Sequence, residues 1–311
     1  MKSTVVARSR PMRDLLAQLR RFARADSTVL LTGETGAGKD TLARLLHDLS
    51  ARRAEPFVTM DCAALPASLF EAELFGHERG AFTDATVARP GRFEVAGNGT
   101  IYLDRVTALP LGIQGALLRV VEEKRVERLG GTQSVTVRAR VIASADADIE
   151  QAVEDGRFRS DLYHRLRVLP IAVPPLRERI ADILPLAERF AHEEAARTAR
   201  RPPAISADAR RLLEGYDWPG NVRELRHVIE RAMVTGADAE IGLEHLPDAL
   251  LEHRTREVGA DASDAPTLEE VERRYILLTL HRAAGNQSRA ASILGISRKA
   301  LWEKRKRYHI E

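Results

Sequence analysis

A chain of 311 residues that is 44% hydrophobic and 30% charged, with a formal net charge of +3, reads as a globular protein of more than one domain. Its single cysteine, Cys62, excludes an internal disulfide framework and fits a reducing compartment. No apolar run approaches the roughly 20 residues needed to span a bilayer, and the basic start "MKSTVVARSRPMRDLL" carries too short an apolar stretch for a signal peptide, so a cytoplasmic protein with no membrane partner is expected. The net charge is too small to imply nucleic acid by itself; its distribution has to decide.

In chain order, "STVLLTG" (27–33) reads as a strand, "KDTLARLLHDLS" (39–50) as a helix and "PFVTMDC" (56–62) as a strand. "GTIYLDR" (99–105) and "RARVIASA" (138–145) read as two more strands. Short apolar strands separated by helices predict an α/β core, a mostly parallel sheet covered on both faces, over residues 1–170. The prolines of "LPIAVPPLRER" (169–179) are expected to break that pattern. Residues 180–248, within a second region bounded at 171–248, then read as helices only, 249–266 as a polar, Asp/Ala-rich linker, and 267–311 as a final helical module.

Between the first strand and its helix, "GETGAGKDT" has the spacing of a phosphate-binding loop. Gly33, Glu34, Thr35, Gly36, Ala37 and Gly38 form the loop, Lys39 opens the helix, and Asp40 and Thr41 follow. Such glycines let backbone N–H groups approach phosphate oxygens, and the helix N-terminus adds a favourable dipole. Lys39 is the candidate partner of the β- and γ-phosphates of ATP. The hydroxyl residue that usually follows the lysine and ligates Mg2+ is replaced by Asp40, a carboxylate, with Thr41 one position late. "GTIYLDRV" (99–106) places Asp104 at the carboxyl end of a strand, where ligands collect in open α/β sheets; with the loop upstream, Asp104 is the second candidate Mg2+ ligand.

Several further motifs, in order, resemble the AAA+ activators of sigma-54 RNA polymerase, the bacterial enhancer-binding proteins. "ELFGHERGAFTDA" (73–85) is similar to that family's sigma-54-contacting loop, "GRFRSDLYHRL" (156–166) to the segment that supplies arginine fingers, and "VPPLRER" (173–179) and "WPGNVREL" (218–225) to the junction and the lid. "GNQSRAASILGISRKALW" (285–302) resembles its Fis-type helix-turn-helix. The resemblance implies a three-layer AAA+ core with an all-α lid and a DNA-binding end, and an ATP site shared between subunits of a ring. That ring is a homo-oligomer, usually a hexamer, or a mixed ring with a paralogue. It implies that Phe82 and Thr83 contact sigma-54 RNA polymerase, that Arg159 and Arg165 reach a neighbour's nucleotide, and that Arg223 senses the γ-phosphate in its own subunit. Read without the resemblance, each of these arginines is better taken as a surface ion-pair partner.

The chain departs from the family pattern at four places. The family carries Asp-Glu at the strand tip, the glutamate polarising the attacking water, whereas this chain has Asp104-Arg105. A guanidinium stays protonated and cannot serve as a base. The family's asparagine in "NCAAL", which hydrogen-bonds that glutamate, is Asp61 in "DCAAL". An Asp61–Arg105 ion pair at the catalytic edge is therefore expected, and Asp61 is the one candidate for a relocated base, a poor one if arginine takes its oxygens. In "GAFTDA" the second glycine is Asp84, and the sensor stretch reads "ASAD", with Ala145 and Asp146 where Thr and Asn stand in the family.

The C-terminal segment supplies small and apolar packing positions at Ala290, Ala291 and Leu294, a tight turn at Gly295, and a cap at Ser297 for a strongly basic helix. Ser297, Arg298, Lys299 and Lys304 are the candidate contacts to double-stranded DNA, with Trp302 expected in the core. Two functional readings follow: a DNA-bound, nucleotide-sensing regulator with impaired hydrolysis, or a fully active ATPase that remodels sigma-54 polymerase. No receiver or ligand-sensing domain is read ahead of the core, which suits either a short family member or a fragment.

Overall fold

The computed structural model describes residues 5–82, 85–236, 239–248, 250–251, 268–283, 286–308 and 310. Thr83 and Asp84 of the expected sigma-54 loop, and residues 252–267 of the expected linker and module start, lie outside them.

The elements run α1 (Arg10–Phe22), β1 (Val29–Thr32), α2 (Lys39–Asp48), β2 (Phe57–Asp61), α3 (Ala67–Phe75), β3 (Gly76–His77), β4 (Arg89–Pro90), α4 (Arg92–Ala96) and β5 (Thr100–Asp104). They continue through α5 (Leu111–Glu123), β6 (Arg125–Glu127), β7 (Ser134–Thr136), β8 (Arg140–Ala145), α6 (Ile149–Glu154), α7 (Ser160–Leu166) and β9 (Leu169–Ala172). After these come α8 (Ile183–Thr198), β10 (Ala204–Ile205), α9 (Ala207–Glu214), α10 (Asn221–Val234) and β11 (Glu240–Ile241). The last helices are α11 (Leu268–Arg282), α12 (Gln287–Ile293) and α13 (Arg298–Arg307). No helix among the described residues is long and apolar enough to cross a membrane.

Contacts divide the chain into two units, Met1–Arg189 with Asp217–His227, and Phe190–Tyr216 with Val228–Glu311. The first is an α/β unit around a five-stranded sheet in the order β2-β5-β8-β1-β9, parallel throughout. β8 lies inside this sheet, and all six of its residues are buried, as a strand covered on both faces requires. On one side pack Phe70, Leu74, Phe93, Leu117, Leu162 and their neighbours. On the other pack Met12, Leu15 and Leu19 of α1 with Leu42 and Leu46 of α2. The three- and four-residue spacing within α1, and the four-residue spacing within α2, puts each helix's buried residues on one stripe. Ser9 caps α1 by accepting from the Met12 N–H, and Ser9 is itself clamped by Asp182, whose Oδ2 takes its hydroxyl at 2.6 Å.

The sheet has one strand that the proline-rich reading of 169–179 missed. Leu169–Ala172 adds β9 beside β1 despite Pro170, because β9 has a partner on one side only and a proline costs no ladder bond on the open edge. The helices-only reading of 180–248 is corrected as well: in the second unit, β10 and β11 form a two-residue parallel pair between Ile205 and Ile241 and their neighbours. At its C-terminal end, Ile276, Ala290, Ala291, Leu301 and Tyr308 bury a small core among α11, α12 and α13.

Candidate nucleotide-binding site

Parallel order places the carboxyl ends of β1, β8 and β5 side by side, and the loops leaving them carry the site. The loop after β1 holds Gly33, Gly36 and Gly38 at φ of 151°, 77° and 98°, values that L side chains rarely adopt. A Cβ at Gly36 would lie 2.3 Å from the Gly220 carbonyl oxygen, while one at Gly38 would meet nothing within 4 Å. The loop is thus closed on one side by the segment leading into α10 and open at Gly38, where α2 begins. An open, glycine-lined turn at a helix N-terminus fits a phosphate chain.

Lys39 is buried to 6% exposure and folds back over this loop, its Nζ donating to the Gly33 carbonyl at 2.6 Å and the Glu34 carbonyl at 3.1 Å. Asp146, at the tip of β8, approaches the same Nζ at 3.5 Å and accepts from the Thr35 hydroxyl at 3.4 Å. Asp40 is exposed in the first turn of α2, and Thr41 is half-buried behind it. Arg223, exposed on α10, has its Cβ 3.2 Å from where a Gly36 Cβ would sit, so the candidate sensor arginine is rooted beside the loop.

Two residues that the motifs did not single out, Arg177 and Asn221, secure this loop through Glu34. Glu34 accepts from Arg177 Nη2 at 2.6 Å and Nη1 at 2.9 Å, and from Asn221 Nδ2 at 3.0 Å. The Arg177 hydrogen bonds, then that of Asn221, hold the Glu34 carboxyl below the usual carboxylate range. Asn221, fully buried, also donates to the Thr35 carbonyl and accepts the Leu176 N–H at 2.7 Å, and the Val222 N–H reaches the Gly36 carbonyl at 3.0 Å. These contacts join segments far apart in sequence, so only the "LRER" and "NVREL" stretches themselves hinted at them.

At the tip of β5, Asp104 Oδ1 accepts the Tyr102 hydroxyl at 2.8 Å and the Ser144 hydroxyl. No described donor reaches its other oxygen, which suits a carboxylate offered to a cation. Ser144 was not among the sequence candidates; the register Leu103↔Ala143 brings it next to Asp104, and strand pairing is the information the sequence lacked. Among the described residues no group of three or more His, Cys, Asp or Glu could hold a metal ion, so Asp104 and Asp40 would need phosphate oxygens to complete a magnesium shell.

The expected pair at the catalytic edge is present. Arg105 Nη2 donates to Asp61 Oδ1 at 2.6 Å and Oδ2 at 2.5 Å, each side chain being 41% exposed. The paired strand register Asp61↔Asp104 sets the two loops side by side. The hydrogen bond to Asp61 holds the Arg105 guanidinium above its ordinary pKa, so no proton is released there at neutral pH.

Arg159 and Arg165 bracket α7 at the surface. Arg159 is folded onto Asp161, Nη2 to Oδ2 at 2.7 Å and Nε to Oδ1 at 3.1 Å. Its backbone N–H is held by buried Gln114 at 2.8 Å, another positioning residue the motifs did not reveal. Phe82 is 40% exposed, with the His77 ring 5.0 Å from its own.

In the helix-turn-helix, Asn286 caps α12 by accepting two N–H groups, Gly295 turns at φ 67°, and Ser297 caps α13 by accepting the Ala300 N–H at 3.1 Å. Arg298 and Lys299 are exposed at the start of α13. One expectation is corrected. Trp302 is 57% exposed, since Leu301 takes the inward position, and the Lys306 ammonium sits over its ring at 5.4 Å. Lys304, the third basic candidate, is paired with Glu272 of α11.

The chain matches the sigma-54 interaction domain over residues 5–172, the AAA+ ATPase lid domain over 177–263, and the bacterial regulatory protein, Fis family, over 267–308. It is 44% identical to the DNA-binding transcriptional activator HyfR of Escherichia coli (strain K12), covering 98% of this chain and 48% of that protein. It is 40% identical to the transcriptional regulatory protein FlbD of Caulobacter vibrioides, over 98% of this chain and 70% of that one. The chain therefore spans about half to seven-tenths of the length of these relatives. The crystal structure of NtrX from Brucella abortus in complex with ATP superposes with a TM-score of 0.76 at 34% identity, covering 99% of this chain and 70% of that one. On these matches and this geometry, the chain belongs to the sigma-54 activator family of transcription regulators, with an AAA+ nucleotide-binding domain and a Fis-type helix-turn-helix.

Proposed function

We propose that this protein is a DNA-bound transcription regulator that binds ATP with Mg2+ and turns it over poorly. The observation that carries this reading is the Asp61–Arg105 pair, which puts a protonated guanidinium where the family's catalytic glutamate stands. General-base assistance is worth about 10²–10⁴-fold, and residue 105, where the family's glutamate stands, is no carboxylate; Asp61 lies against Arg105, Asp104 accepts from Tyr102 and Ser144, and Asp146 lies against Lys39 and Thr35.

In this reading the Gly33–Gly38 loop and Lys39 bind the phosphates, Asp104 and Asp40 offer oxygens to the magnesium ion, and Arg223 closes over the nucleotide. The ion, when bound, neutralises phosphate charge. Arg159 and Arg165 serve a neighbouring subunit in a ring, a hexamer or a mixed ring with a paralogue, once Arg159 leaves Asp161. Residues 171–248 act as the lid, and 249–266 link it to the DNA-binding module. Phe82 and Thr83 face sigma-54 polymerase, and Arg298 and Lys299 face DNA.

The second reading, an active ATPase that remodels sigma-54 polymerase, is favoured by the surface placement of Arg159, Arg165 and Phe82. ATP binding and phosphate release measured on one preparation separate the two. Binding with release no faster than in Lys39→Ala supports the first. Release that Lys39→Ala abolishes supports the second and makes Asp61 the residue to test as base.

A further inference from the structure

We propose that Arg105 is a γ-phosphate contact within its own subunit, and that Asp61 holds its guanidinium until a nucleoside triphosphate takes it over. The inference rests on the nucleotide-binding part of the reading above. It assigns Arg105 a task where its lack of basicity would otherwise leave only a loss.

The root of the side chain is fixed. Arg105 adopts the left-handed conformation at φ 58°, unusual for a residue with a Cβ, and its backbone N–H donates to the Ser144 hydroxyl oxygen at 2.9 Å. That same hydroxyl donates to Asp104, so Arg105 and the candidate magnesium ligand are pinned to one atom. The tip, by contrast, is only half used. Both bonds to Asp61 come from Nη2, and among the described residues no acceptor reaches Nε or Nη1. A guanidinium carries five N–H donors in a planar fork that matches phosphate oxygens, so most of that fork remains available.

The holding partner is replaceable. With each side chain 41% exposed, the Asp61–Arg105 pair is of the weak, solvent-screened kind. Asp104 and Asp146 both add to the field that stabilises the Arg105 cation, and Asp146 also contacts the phosphate lysine, Lys39. Arg105 and Lys39 thus follow β5 and β1, the strands on either side of β8, and with Asp146 after β8 they form one cluster of charges at the three strand ends. A γ-phosphate brings three acceptor oxygens into that cluster; a diphosphate does not. The arrangement discriminates tri- from diphosphate by a binding contact in place of hydrolysis, which makes the chain a reader of nucleotide state.

The test is binding of ADP and of a slowly hydrolysed triphosphate, ATPγS, with Mg2+ to the full chain, for wild type, Arg105→Gln, Arg105→Lys and Asp61→Asn. Arg105→Gln is expected to weaken ATPγS by about tenfold or more while leaving ADP unchanged, with Arg105→Lys in between. Asp61→Asn is expected to raise the preference for ATPγS over ADP, because it releases the competing carboxylate. Equal loss of both nucleotides, or loss of neither, in a folded Arg105→Gln protein overturns the proposal. Should Arg105→Gln fail to fold, the Asp61→Asn ratio decides, and an unchanged ratio overturns it. Wild-type phosphate release bears separately on the impaired-hydrolysis reading, since rapid turnover sinks that reading while the ATPγS-to-ADP ratio still reports on Arg105.

Discussion

Lys39 and Asp146 face each other across the phosphate loop, ammonium to carboxylate at 3.5 Å, with the lysine nearly buried and the aspartate 38% exposed. A phosphate must compete with that carboxylate for the same cation. Asp146→Asn keeps the shape and removes the competing charge. Both ADP and ATP should bind several-fold more tightly, consistent with the ~0–1 kcal/mol typical of half-exposed pairs. Titration of each nucleotide against both proteins checks this, and unchanged affinities show that Lys39 is not held back.

Gly36 is the closest approach between the loop and the segment leading into α10. Gly36→Ala adds a methyl 2.3 Å from the Gly220 carbonyl and forces φ 77° on a residue with a Cβ. A loss on the order of 1–3 kcal/mol in unfolding free energy is expected, together with weakened nucleotide binding. Gly38→Ala, with nothing within 4 Å, carries only the backbone strain and should fold better of the two. Denaturant melts of the pair measure the difference.

His47 is 3% exposed on α2, its Nδ1 2.9 Å from the Thr100 hydroxyl, and burial holds its pKa below the ordinary 6.5. Nearby Asp48 opposes that shift and Arg44 adds to it. The folded state therefore disfavours the proton that the unfolded chain takes up below pH 6.5. Stability contributed by the neutral ring is present above that pH and falls as the pH drops through it. His47→Gln should flatten this part of the stability-versus-pH curve, as urea melts between pH 5 and 7.5 would reveal.

The basic residues of α13 differ in what they touch. Arg298 and Lys299 are exposed at its start, whereas Lys304 is tied to Glu272. Arg298→Ala or Lys299→Ala should weaken DNA binding and lower the salt slope by about one, without changing the melting temperature. Lys304→Ala should lower stability more than it lowers affinity. Equal loss of affinity in all three variants contradicts the division.

Local motifs fixed much of this in advance. The phosphate loop, the strand tip and the Asp61–Arg105 pair were legible because each depends on short spacing or on two parallel neighbouring strands. What escaped depends on distant chain segments meeting. The hydroxyls of Tyr102 and Ser144 on Asp104 follow from the β5–β8 register, and the Glu34–Arg177–Asn221 network from three separated loops. Edge β9 was hidden by its proline, and the outward turn of Trp302 by the inward demand of Leu301 one residue earlier. Aromatic size argues for burial, but helical phase decides it.

The most direct test of the account is phosphate release by the wild-type chain beside the double variant Asp61→Asn, Arg105→Glu, with ATP binding followed in both. The variant restores a carboxylate at the strand tip and an amide partner for it. The account predicts that both proteins bind ATP, that wild type releases phosphate slowly, and that the double variant releases it on the order of 10²-fold faster. Fast release by wild type, with no gain in the variant, would contradict it and return water activation to another group in the site.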